Sequence, residues 1–228
     1  MFSSRRRIVL AAVAAAVVLG GAAVAVAAQL TDDAPAGPVA APRVVQPGAP
    51  GQSGRALSPA EQSQLPAPPK HTPADTQFMQ RMIAHHVQAL DMTGLVAERA
   101  TSKEVSLIAK RIETSQRDEI AQMQQWLTDR GEQLPGPHEH HADHDAVMPG
   151  MLTPEQLAEL AKTRGEQFDR LFLDRMIRHH EGALTMVQQL YAAGGGLEPA
   201  SDRFAREVNA DQGIEIRSMR ELQARLAG

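Results

Sequence analysis

From about residue 74 onward, apolar residues recur every three or four positions, and this period predicts helices. The first runs from about Ala74 to Arg99. Thr101 and Glu104 have capping-box spacing at the head of a second, whose Val105, Ile108, Ile112, Ile120, Met123 and Leu127 keep one stripe until Gly131. A long connection rich in His, Pro and Gly follows. Thr153-Pro154-Glu155-Gln156 then supplies an N-cap, a proline at the first helical position and a glutamine that closes the box. The short helix it opens leads, past Gly165, into a third main helix from Glu166 to Ala192. Gly194 to Gly196 stops it, and a fourth, from about Pro199 to Leu226, carries Phe204, Val208, Ile216, Met219 and Leu222. Roughly 150 residues of this kind are enough for one domain.

The first 73 residues follow another pattern. Three arginines, Arg5 to Arg7, precede Ile8 to Ala28, a run of 21 residues without charge. Two readings of residues 1–30 compete: a cleaved signal peptide with Ala25-Val26-Ala27 as its small-x-small site, or an N-terminal membrane anchor with its arginines inside. Both put the remainder outside the cytoplasm. Residues 31–73 hold ten of the fifteen prolines and show no hydrophobic period, so they read as a disordered linker. The bundle is expected over 74–228.

Offsetting the chain by 94 positions lays Phe78 to Met92 on Phe172 to Met186 with nine identities in fifteen. Two more residues of slip bring Gln116, Glu119, Ile120 and Met123 onto Gln212, Glu215, Ile216 and Met219. The expected fold is therefore all-α: a four-helix bundle made of two repeated helical hairpins with a long crossover. On a helix Met82 lies three residues before His85 and four before His86, so thioether and imidazoles share a face. Met176, His179 and His180 repeat this. Gln116 interrupts the seam between Ile112 and Ile120, and Gln212 does so between Val208 and Ile216. A buried glutamine needs a partner, such as an imidazole N–H or a metal-bound water.

Composition narrows the chemistry. There is no cysteine, so thiol nucleophiles, disulfides and thiolate metal sites are excluded, and any metal must use His, Met, carboxylate or backbone ligands. A formal net charge of -4 argues against a nucleic-acid partner. No serine stands in a nucleophile-elbow context, and no glycine loop suits phosphate. Thioethers with imidazoles suit Cu(I), and imidazole also accepts Cu(II). Single methionines or histidines usually serve packing, but a motif that recurs with its partner-helix methionine points to metal. Met82, His85, His86 and Met123, with Met176, His179, His180 and Met219, are the candidate ligands, supported by Gln116, Glu119, Gln212 and Glu215. The crossover adds His138, His140, His141 and His144, then Met148 and Met151, as a metal-recruiting loop. Imidazole must be neutral to coordinate, so histidine-held copper is expected to weaken as pH falls from roughly 6.5 to 5.

Phe-x-x-Met-Ile-x-His-His, Met148-Pro149-Gly150-Met151, the Thr-Pro-Glu-Gln helix start, Arg175 to Ala183 and Gln-x-x-Glu-Ile-x-x-Met together resemble the bacterial domain-of-unknown-function 305 family, over about Thr76 to Leu222. The resemblance implies a ferritin-like helical bundle, usually exported, with some members that bind copper through Met and His and contribute to copper tolerance. The first copy has Val87 and Gln88 where the second has Glu181 and Gly182, so the two sites are expected to differ in affinity.

An extracytoplasmic copper buffer or carrier is thus the leading expectation. Its partners would be copper ions and a copper transporter or other exported copper protein. Two alternatives stay open. A ferritin-like di-metal oxidoreductase would want Glu-x-x-His on two helices, and positions 82 and 176 are Met where that motif wants Glu. A metal-free helical interaction module would use the histidines to sense pH or join protomers.

Overall fold

The computed structural model describes residues 44–136 and 148–227, which form two units divided after Leu65. In the first, Val45–Gln46 (β1) pairs antiparallel with Arg55–Ala56 (β2), and Pro59–Gln62 makes one turn of helix (α1). Ser58 and Glu61 close a capping box on α1. These pieces bury no residue, and strands of two residues have little independent stability. Ile8 to Ala28, the basis of the signal-or-anchor reading, and His138 to His144 lie outside the described residues. Among the described residues no helix is long and apolar enough to cross a membrane.

The second unit is an all-α bundle. Its helices are Pro73–Gly94 (α2), Val96–Arg99 (α3), Lys103–Asp129 (α4), Pro154–Lys162 (α5), Gly165–Ala192 (α6) and Pro199–Ala227 (α7). Helices α2 and α4 pack as one hairpin and α6 and α7 as another, and the hairpins join through α2 against α6 and α4 against α7. The crossover from α4 to α6 contains α5, whose Thr153–Gln156 box forms as its sequence predicts.

Two expectations need correction. The first helix does not run unbroken to Arg99: the Thr93 hydroxyl donates back to the Leu90 carbonyl, Gly94 follows, and the Leu95 N–H tightens onto Met92 and Thr93. A hydroxyl competing for the ladder beside a glycine ends α2 there. Thr101 and Glu104 do not form a box either. Ser102 is the N-cap of α4, accepting from the Val105 N–H, while the Thr101 hydroxyl and N–H and the Ser102 N–H all donate to Asp169 on α6.

That carboxylate has a twin. Asp75 lies 94 positions before Asp169, and on α2 it accepts from the Gly196 N–H and the Ser201 hydroxyl at the α6–α7 turn, both at 2.7 Å. Each hairpin's first helix therefore holds the turn of the other hairpin by a buried aspartate.

The core falls into two apolar clusters at opposite ends. One joins the start of α2 (Phe78, Met79, Met82, Ile83), the end of α4 (Met123, Trp126, Leu127), the end of α6 and the start of α7. The other joins the end of α2, the start of α4 (Val105 to Ile112), the start of α6 (Phe168 to Ile177) and the end of α7. Helices α2 and α6 therefore run antiparallel, related by an approximate twofold. Between the clusters lies a buried polar layer.

Candidate metal centre

The layer is built where the repeat puts it. His85, His86, His179 and His180 are each no more than 1% exposed. The rings of His85 and His179 face each other across the α2–α6 contact, with centroids 3.8 Å apart. The rings of His86 and His180 lie 6.4 and 6.2 Å from those of their chain neighbours. Gln116, Glu119, Gln212 and Glu215 reach the same layer from α4 and α7, all buried.

Hydrogen bonds orient three of the four rings. His86 Nε2 meets the Glu119 carboxylate and His180 Nε2 meets Glu215 at 2.7 Å, so each dyad lies within one hairpin. His85 Nε2 meets the Pro149 carbonyl at 2.9 Å. Nδ1 of His85, His86 and His180, and both ring nitrogens of His179, have no hydrogen-bond partner among the described residues. Neither do Oε1 of Gln116 and Nε2 of Gln212. His86 and His180 therefore pair with carboxylates and His85 with a backbone carbonyl, and none of the imidazoles pairs with the glutamines that the sequence suggested.

Burial governs the charge. It pushes His85 down to about 3, with the nearby His86 imidazole acting the same way. His86 falls to about 3 as well, through burial and the charge of His180. Burial and the surrounding imidazoles hold His179 well below the ordinary histidine value. Glu119 moves the other way, up to about 7, because burial and the nearby Glu215 both disfavour its anion. His85, His86 and His179 are thus neutral at physiological pH, the form that coordinates metal.

The methionines are sorted by the fold in a way the sequence did not announce. Met82 and Met123 lie in one apolar cluster with Met186, and Met176 and Met219 lie in the other with Met92. Met186 is the repeat equivalent of Met92, so each cluster takes two of these six methionines from one copy and one from the other, while Met79, whose repeat equivalent is Leu173, is a further methionine of the first. All six are at most 4% exposed. Met92 and Met186 are not among the ligands that the sequence suggests; the 94-residue offset that lays one on the other is the signal that ties them to the rest.

Above the α2–α6 seam runs the segment Met148 to Leu152, a tight turn in which the Met151 N–H donates to the Met148 carbonyl at 3.2 Å and Gly150 has φ +77°. The Gln88 amide donates to the Leu152 carbonyl at 2.9 Å and accepts from its N–H at 2.7 Å. Gly182 lets the turn lie against α6: a Cβ there would overlap the Pro149 carbonyl. Met148, half-buried, packs on the cluster of Met82, and Leu152 is buried in that of Met176. The turn that carries Met148 and Met151, which the sequence grouped with the histidine loop, is thus seated on the bundle.

The polar layer, its two flanking Met groups and the Met-Pro-Gly-Met turn occupy the stretch that a known family model covers. The model of the domain of unknown function DUF305 matches residues 75–223. The chain belongs to this family. A crystal structure of a DUF305 fragment from Deinococcus radiodurans is 35% identical, with a TM-score of 0.61, and the match covers 69% of this chain and 99% of that one. A family protein from Streptomyces coelicolor, assigned as secreted, is 28% identical with a TM-score of 0.59, covering 68% and 94%. CopM in its Cu(II)-bound form is 26% identical with a TM-score of 0.56, covering 66% and 96%. CopM is also known in a Cu(I)-bound form, 25% identical with a TM-score of 0.54, covering 68% and 98%. No curated protein matches the chain.

Proposed function

We propose that this protein is an extracytoplasmic copper-binding protein, a buffer or carrier, which holds Cu(I) in the bundle through Met82, His85, His86 and Met123 and through Met176, His179, His180 and Met219. The carrying observation is the state of the buried imidazoles: three turn Nε2 to a carboxylate or carbonyl and leave Nδ1 bare. That is the arrangement of metal-ligating histidine, whose second nitrogen is held by an acceptor that fixes the ring. Among the described residues no three His, Asp or Glu side chains converge as a ready-made cage. Coordination here therefore calls on the thioethers as well, and a His/Met donor set without thiolate selects Cu(I). Met92 and Met186 belong to the same two groups and join the candidate ligands.

The likeness to CopM, bound to both Cu(II) and Cu(I), supports copper as the ion. Export is supported by the basic, apolar N-terminal segment and by the relative assigned as secreted. The His138-to-His144 loop would collect metal, and a copper transporter or other exported copper protein would be the transfer partner. The dyads His86–Glu119 and His180–Glu215 supply only two carboxylates to the layer, fewer than a di-metal oxidoreductase of the ferritin kind requires.

Competition for Cu(I) against a chromophoric chelator, using the purified full chain, tests the reading. Tight binding is expected, with a large loss when His85 and His179 are both replaced by Ala. A double variant that is still helical and binds as well as the wild type would refute it.

A further inference from the structure

The two halves of the repeat differ at a position that bears directly on the histidine layer. Gln88 and Gly182 are equivalent under the 94-residue offset, and both contact the Met148–Leu152 turn, one by two backbone hydrogen bonds and the other by having no side chain. The turn also touches α6 backbone: a Cβ on Gly150 would come within 2.8 Å of the Gly182 Cα and 2.5 Å of the Arg178 carbonyl oxygen. A glutamine clamp on one side and a glycine seat on the other fix where the Pro149 carbonyl points. It points at Nε2 of His85, 2.9 Å away.

A carbonyl oxygen only accepts, so Nε2 of His85 carries the ring proton and Nδ1 carries the lone pair. Buried, with no hydrogen-bond partner, that lone pair is free for a cation. His179 lacks this contact with the crossover turn. Neither of its nitrogens has a hydrogen-bond partner among the described residues, although the His85 main chain lies near enough to favour its charged form slightly. The repeat therefore places two equivalent rings face to face and then breaks their equivalence with one turn from the crossover.

We propose that the Met148–Leu152 turn is a positioning element that fixes His85, and not His179, as a single tautomer offering Nδ1 to a soft monovalent cation, so that the first half of the repeat fills before the second. A ligand held in its binding form loses less freedom on coordination than one that must choose its tautomer and orientation. The order of filling rests on the copper-binding reading above; the tautomer does not.

Two measurements on the full chain test this. In metal-free protein with 15N-labelled histidine, two-bond proton–nitrogen correlations report which ring nitrogen is protonated. His85 is expected as the Nε2–H form alone, and to become a mixture in Gln88→Ala, which removes the clamp without adding bulk, and in Gly182→Ala, which displaces the turn. If Gly182→Ala does not fold, Gln88→Ala carries the test. Titration with Ag(I), which has no redox partner state to confuse the reading, should then show two steps differing at least about tenfold in the wild type, a gap that narrows by about threefold or more in Gln88→Ala. His85 found as a mixture in the wild type, or unchanged in both variants, overturns the proposal. A single Ag(I) affinity overturns the order of filling. Absence of Ag(I) and Cu(I) binding by a protein whose His85 is one tautomer overturns the copper reading and leaves the positioning role standing.

Discussion

At the scale of single residues, burial changes what histidine and methionine can do. A buried methionine is interchangeable with leucine as a packing group, so each of M82L, M123L, M176L and M219L should cost less than about 1.5 kcal/mol of stability. As a thioether it has no such substitute, and Cu(I) affinity should fall at least tenfold in the quadruple variant, read by chelator competition. Unchanged affinity would reduce these methionines to core. For histidine, the sequence expectation of weakening between pH 6.5 and 5 assumes an ordinary imidazole. Burial lowers His85 and His86 to about 3, so their protonation does not compete with the metal in that window. Glu119, beside His86, is raised by burial to about 7 and does titrate there. As its carboxyl takes a proton it becomes a donor to His86 Nε2, which favours the tautomer with the ring proton on Nδ1 and so takes that nitrogen from the metal. Cu(I) affinity should therefore decline with no more than a one-proton slope below about pH 7, and Glu119→Gln, which accepts at any pH, should flatten it. A steep multi-proton fall centred near pH 6.5 would contradict the burial argument.

At the scale of elements, the hairpins and most of their ends were legible in the sequence. The apolar period gave the four main helices, and Thr153–Gln156 gave the start of α5. The failures share a cause. Local spacing alone makes Thr101 a helix cap, whereas its hydroxyl is satisfied 68 positions away by Asp169. Asp75 and Asp169 themselves lie just ahead of the aligned repeat, and nothing in their immediate neighbourhood announces that each ties the opposite hairpin's turn. Replacing either with Asn turns an amide N–H toward donors that need an acceptor, so D75N and D169N should each destabilise by about 1–3 kcal/mol. Because they act at opposite ends of the bundle, the double variant should lose close to the sum. Thermal or denaturant unfolding checks both, and a neutral D75N would show that the cross-tie between hairpins carries little of the stability.

At the scale of the whole molecule, the buried layer makes stability depend on pH and on metal. His85, His86 and His179 have folded values below their unfolded value of about 6.5. Below pH 6.5 the unfolded chain binds protons that the fold excludes, so their contribution is lost as pH falls. Glu119, raised on folding, acts in the opposite sense: its contribution is full below about 4.5 and is lost as pH rises through about 7. Three groups outweigh one. The metal-free protein should show a falling denaturant midpoint between pH 6.5 and 5, and Cu(I) should raise the midpoint at every pH, since only the folded state presents the site. A midpoint that holds or rises on acidification would mean the histidines are not buried and neutral.

The sequence by itself determined the helices, the twofold repeat and the set of candidate ligands, because hydrophobic period and internal identity are properties of a line of residues. It also showed that the two copies differ at Gln88 and Gly182. Only the tertiary structure decided what that difference does, which methionines group together and which histidine nitrogen faces an acceptor. Those facts depend on an antiparallel pairing of α2 with α6 and on a crossover turn laid across their seam. Both bring together residues from 60 to 100 positions apart, whose contact is set by the packing of whole helices and leaves no trace in local spacing.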